Sequence, residues 1–226
     1  MPTMPGPPPE AAESELVPFG LLDRPRPHAS PAVLAELHAE LLPTSPAVRL
    51  GSHFLQDFYY VALPEKALIF GYVAYHGDVP VGFVVNTRDA NGFLASALRT
   101  RSRTLVAVMA RHPPSPRSLL KATQLAGDRS RHRDEKVGEL LSLAVRPSDQ
   151  RGLSSGPSRR RLARALMESV LAELAGLDVI ALVDESNAPA RLMYADLGWT
   201  MAERVTAGWP VPQLIYRLGE NRSPDR

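Results

Sequence analysis

Three groups of residues in this 226-residue chain have types and spacing suited to chemistry. In the first, Asn187 is followed by Ala190, Met193, Tyr194, Leu197 and Gly198, directly after the apolar run Val179–Val183. Asparagine is a preferred N-cap and glycine takes the left-handed position that stops a helix, so a buried strand is predicted to feed a short capped helix. Such a helix holds the phenol of Tyr194 at a fixed height beyond the strand end, either to act on a ligand or to serve as a core ring. In the second, Arg151-Gly152-Leu153-Ser154-Ser155-Gly156-Pro157-Ser158 opens a predicted helix over 157–175. Backbone N–H groups at a helix start, with the positive end of the macrodipole, hold anions such as a pyrophosphate. Gly152 and Gly156 permit close approach, Ser154, Ser155 and Ser158 add hydroxyl donors, and Pro157 suits the first helical position. Arg159, Arg160, Arg161 and Arg164 crowd the same end, where the dipole disfavours cations; a bound anion or bending of the side chains into water would relieve this. The third group is His53 and Asp57, one helical turn apart, either of which can accept a proton.

The elements that must position these groups follow from the pattern. Ser30 and Pro31 open a helix with Val33, Leu34, Leu37 and Leu41 on one face, and a second helix over 52–63 is expected to bury Phe54, Phe58 and Val61. Residues 67–74 and 79–86 read as a hairpin about Tyr75-His76-Gly77-Asp78, after an irregular first strand over 15–22 that contains Pro18. About fifty residues then intervene before Gly138, carrying a helical pattern over 93–111 and a further helix opened by Ser115-Pro116. The strand Leu140–Val145, the loop, the long helix and the Asn187 block come next, and strands over 201–206 and 213–218 close the fold. The Pro-rich 1–14 and the polar 219–226 are expected to be tails outside a single domain over 15–218.

Two blocks together carry a family resemblance. The sequence Leu140-Leu141-Ser142-Leu143-Ala144-Val145-Arg146-Pro147, the Gly/Ser loop and helix after it, and then Asn187 to Trp199 occur in the order and at the distance of the GNAT superfamily of acyl-CoA-dependent N-acyltransferases. The chain resembles bacterial members associated with polysaccharide or secondary-metabolite gene clusters. The resemblance implies a mixed α/β (α+β) fold, with a mostly antiparallel sheet, helices on both faces and a helical insertion at about 90–137 between the third and fourth strands. It implies acetyl-CoA as co-substrate, bound through Leu143, Ala144 and Val145 on the strand, Arg151, Gly152, Leu153, Ser154, Ser155, Gly156 and Ser158 in the loop, and Asn187 and Tyr194. Tyr194 would donate a proton to the leaving thiolate. Where some relatives place a glutamate base, this chain has Leu182; since several members of the family use a carboxylate on the central strand, the resemblance implies Glu139 as the base, with His53 and Asp57 as alternatives. The loop is longer than the family's Arg-x-x-Gly-x-Gly/Ala pattern.

Composition bounds the function. With no cysteine, thiol nucleophiles, disulfides and cysteine metal sites are excluded, and the six histidines show no metal-ligand pairing. No apolar run approaches the roughly 18–20 residues needed to span a bilayer and no leader pattern opens the chain, which reads as cytoplasmic, a monomer or homodimer. Between Arg99 and Lys136 ten Lys or Arg stand against three acids, although the formal net charge of the chain is only +2. That stretch is either a solvated face or a lid for an anionic acceptor, such as a nucleotide-linked amino sugar. Few aromatics interleave the arginines, which argues against nucleic acid. The family resemblance implies a small-molecule amine as the acceptor, with a protein N-terminus or lysine, or a non-catalytic acyl-CoA-binding domain, as the alternatives.

Overall fold

The computed structural model describes residues 14–18, 30–111, 137–147, 159–206 and 211–219. Seven strands form one sheet in the order β1-β2-β3-β4-β5-β7-β6: β1 Glu15–Pro18, β2 Phe70–His76, β3 Val79–Thr87, β4 Val137–Val145, β5 Asp178–Asp184, β6 Thr200–Val205 and β7 Gln213–Leu218. Only β4 and β5 run parallel; every other neighbouring pair is antiparallel. A parallel pair needs a crossover connection, and here α4 (Arg159–Glu173) supplies it. The mixed, mostly antiparallel sheet expected from the sequence is therefore present.

Helices cover both faces. On one, α1 (Pro31–Leu41), a π-helix over Phe54–Ala62 and α3 (Phe93–Arg111) pack over β2 to β4, around Leu37, Leu55, Tyr59, Phe83 and Val85. On the other, α4 and α5 (Ala188–Asp196) pack on a cluster that includes Leu140, Leu166, Met167, Val179, Ala181 and Tyr216. The short helix α2 (Pro46–Arg49) links α1 to the π-helix. Ser30 caps α1 by accepting from the Val33 N–H at 3.3 Å, with Pro31 in the first position. The helical insertion between β3 and β4 begins with α3; the further helix expected from Ser115-Pro116 lies outside the described residues.

Two local expectations need correction. The first strand is present over Glu15–Pro18, and the rest of its expected span, 19–22, lies outside the described residues. The first hairpin strand is displaced toward the turn, to Phe70–His76, while the second starts at Val79 as expected; the turn is the tight Gly77-Asp78 pair with Gly77 at φ 59. The second helix winds as a π-helix, closing with Leu63 N–H on the Phe58 carbonyl, five residues back. Its wider turn changes which side chains face inward. Leu55, Phe58, Tyr59, Tyr60 and Ala62 are buried, while Phe54 and Val61 are only half-buried.

Candidate functional site

The site begins with an irregularity in β4. Asn86 of β3 pairs with Leu140 and Val85 pairs with Ser142, so Leu141 is an extra residue on β4, a β-bulge. The bulge resets the alternation of faces. Leu140 and Leu143 both join the cluster under α4, whereas Leu141 and Ala144 pack toward α1 and the π-helix.

The same point ends the pairing with β5. The parallel ladder runs from Val137–Asp178 to Leu140–Ala181, and beyond it β5 pairs only with β7 while β4 pairs only with β3. From Leu141 to Val145, β4 therefore offers one backbone edge that no strand of the sheet takes up. Polar backbone groups away from water require partners, so this opening is suited to a ligand with amide groups of its own. Leu143, Ala144 and Val145 line it on the β4 side.

Two other features meet at this end of the sheet. As the crossover from the C-terminal end of β4, α4 starts there, and the exposed Arg159, Arg160, Arg161 and Arg164 gather in its first turns with no acid among them. The loop residues Arg151, Gly152, Leu153, Ser154, Ser155, Gly156 and Ser158 lie outside the described residues. On the β5 side, Asp184 folds the exit turn by accepting from Ser186 N–H at 2.8 Å. Asn187 then caps α5, its side-chain oxygen accepting from Ala190 N–H at 3.2 Å, and Gly198 ends it at φ 77.

Tyr194 is the one fully buried residue of α5. Its ring stacks on Tyr216 and meets Trp199 edge-on, with centroids 5.3 Å and 5.1 Å away. Burial pushes the phenol well above its usual value, so it stays protonated and can donate. Glu139 is equally secluded, at 1% exposure. It lies between Thr87 and Ile180 in the last paired stretch before the opening. Ile180 packs with Val137 and Ala90 on the face away from α4, so Glu139 and Tyr194 are on opposite faces of the sheet. His53 and Asp57 instead pair with each other on the surface, 3.6 Å apart and half exposed.

The sequence reading missed the polar contacts that tie this region together. Arg146, next to the gap, is only 6% exposed and forks onto Glu40 of α1. His38 of α1 is fully buried, with Nδ1 2.7 Å from the Tyr60 hydroxyl and Nε2 3.1 Å from that of Ser45. A histidine and an acid inside an amphipathic helix were the available signals, but their partners are distant in sequence. Among the described residues no group of His, Asp and Glu is arranged to hold a metal ion, and no helix is long and apolar enough to cross a membrane.

Known proteins give the same architecture. Residues 118–207, from the insertion through β6, match the family of FR47-like proteins. No curated protein matches the chain. The aminoglycoside acetyltransferase AAC(6')-Ib, in complex with paromomycin and acetyl-CoA, superposes with a TM-score of 0.53 at 15% identity, covering 91% of this chain and 92% of that one. Arabidopsis thaliana NAA60 in complex with acetyl-CoA gives 0.52 at 15% identity, with 91% and 97% covered. A GNAT-family acetyltransferase from Desulfovibrio desulfuricans gives 0.52 at 17% identity, with 91% and 98% covered. The chain is thus a GNAT-fold protein whose segment 118–207 is FR47-like.

Proposed function

We propose that the protein is an acyl-CoA-dependent N-acyltransferase that moves an acetyl group from acetyl-CoA to a primary amine. The observation that carries this reading is the opening between β4 and β5, where one backbone edge of Leu141–Val145 is left for a ligand at the start of α4. An extended amide-bearing arm fits such an edge as an added strand would, and the helix start suits its phosphates. Leu143, Ala144 and Val145 would hold the arm, Asn187 would meet it from the β5 side, and the 151–158 loop would take the pyrophosphate.

Acetyl-CoA supplies the reactive thioester. On the face away from α4, Glu139 accepts a proton from the acceptor ammonium, directly or through water, and so frees the nitrogen lone pair. On the other face, Tyr194 presents its hydroxyl to the departing sulfur. Because its phenol is held well above the usual value, it acts chiefly as a hydrogen-bond donor to the developing thiolate. Direct attack forms the C–N bond and breaks the C–S bond, and the second proton of the attacking nitrogen passes to the sulfur, directly or through water, so that the CoA thiol leaves.

For the acceptor we favour a small-molecule amine, with a phosphate-bearing amino sugar as the specific form, in the cytoplasm. Arg99 and Arg103 support it: both are exposed, one turn apart, on α3, which packs against the π-helix on the Glu139 side of the sheet. Calorimetry with acetyl-CoA, followed by an amine panel assayed for CoA release, tests the reading. Absence of acetyl-CoA binding at millimolar concentration would remove it, and a preference for peptide N-termini over amino sugars would replace the acceptor.

A further inference from the structure

Two arginine–carboxylate forks flank the opening, one at the end of β4 and one just after β5. On the β4 side, Arg146 donates its backbone N–H to the Val81 carbonyl at 2.8 Å, and Nη1 donates to the Pro80 carbonyl at 3.1 Å. Its Nε and Nη2 grip the two oxygens of Glu40 at 3.0 Å and 2.5 Å. Pro80 and Val81 belong to β3, on the side of β4 away from β5, and Glu40 belongs to α1, which packs over β2 to β4. On the β5 side, Glu185 donates its backbone N–H to the Pro212 carbonyl at 2.9 Å, and its carboxylate takes Nε and Nη2 of Arg204 on β6 at 2.9 Å and 2.8 Å. Arg191 of α5 also donates to the Glu185 carbonyl at 3.0 Å. These partners lie on the side of β5 away from β4.

Adjacent strands with free edges gain hydrogen bonds by pairing, so a gap between parallel strands persists only if something holds it. Bidentate Arg–carboxylate contacts fix direction as well as distance, which a lysine cannot reproduce. We propose that Arg146–Glu40 and Arg204–Glu185 are positioning pairs that keep the β4/β5 gap open in the shape that binds acyl-CoA. The inference rests on the acyl-CoA reading of that gap. None of the four residues touches the reacting atoms. The two forks differ in surroundings: the Arg146 side chain is 6% exposed, whereas Arg204 and Glu185 are 52% and 36% exposed. Salt should therefore weaken the second fork more than the first.

The test is calorimetric binding of CoA, measured well below the melting temperature of each protein. Arg146→Gln, Glu40→Gln and Arg204→Gln should each raise the dissociation constant by about tenfold. Arg146→Lys, which keeps the charge and loses the fork, should stay weaker than wild type. Arg88→Gln provides the control, because Arg88 forms a similarly exposed pair with Glu173 at the opposite end of α4, 2.9 Å long, and its loss should leave CoA binding unchanged. Should Arg146→Gln fail to fold, the exposed Arg204→Gln still decides the matter. Unchanged CoA affinity in the folded variants, with only the melting temperature lowered, overturns the proposal and makes the forks structural. No CoA binding by the wild type fails the acyl-CoA reading itself, and the inference with it.

Discussion

Tyr194 stacks on Tyr216 with ring centroids 5.3 Å apart and 24° between the ring planes, so the candidate proton donor is also part of the core under α5. The two roles reside in different atoms. The ring fills space against β7 and Trp199, while the hydroxyl alone is available for hydrogen bonding. Substitutions can therefore separate them.

Tyr194→Phe keeps the ring and removes the donor. Turnover should fall by roughly tenfold to a thousandfold, with acetyl-CoA affinity and melting temperature nearly unchanged. Tyr194→Ala should instead cost about 3–5 kcal/mol of stability, as expected for an emptied aromatic site. Steady-state kinetics beside thermal melts checks both, and an unchanged rate in Tyr194→Phe would sink the proton-donor role while leaving the fold untouched.

Asn187 caps α5 next to the gap. Asn187→Ala should cost about 1 kcal/mol of stability and also weaken acetyl-CoA binding, whereas Asn187→Ser, which restores a capping oxygen, should recover the stability alone. Denaturant unfolding and calorimetry on the two variants separate the cap from the ligand contact.

Gly82 stands opposite Val145 on β3, and a Cβ there would lie 2.9 Å from the Ala144 carbonyl oxygen and 3.1 Å from Val145 Cγ2. The first neighbour is backbone and cannot swing aside. Gly82→Ala should push the end of β4, costing about 1–3 kcal/mol and weakening acetyl-CoA binding. Equal affinity in wild type and variant would show that the position of Ala144 and Val145 is immaterial to the ligand.

His38 touches Tyr59, Tyr60 and Phe83 and bonds Tyr60 and Ser45; burial lowers its pKa from 6.5 to about 4. Between these values the unfolded chain binds a proton that the folded one refuses, so stability rises with pH. This contribution is fully present above pH 6.5 and is lost as pH falls toward 4. The urea midpoint should decline across that window, and His38→Gln should flatten the decline although its stability near neutrality is lower. Parallel pH profiles of the two proteins would exclude His38 as the source.

Much of the fold was legible from local pattern. The cap at Ser30, the strand and helix around Asn187, the hairpin turn within Tyr75–Asp78 and the order of the central elements follow from side-chain type and spacing, because caps, turns and amphipathic faces are properties of neighbours in sequence. The candidate roles of Tyr194 and Leu143 to Val145 came from two blocks read together rather than from any residue alone. Tertiary structure decided the rest. That β4 bulges at Leu141 depends on its register with β3, and that it leaves β5 after Leu140 depends on partners forty residues away. The π-helix buries Phe58, Tyr59 and Tyr60 in succession, a pattern that 3.6-residue periodicity does not anticipate. Arg146 finds Glu40 across 106 positions and His38 finds Tyr60 across 22. Such contacts are invisible in sequence because a charge or an imidazole on a helix looks the same whether water or a distant side chain will satisfy it; only the packed chain, by removing the water, makes the choice.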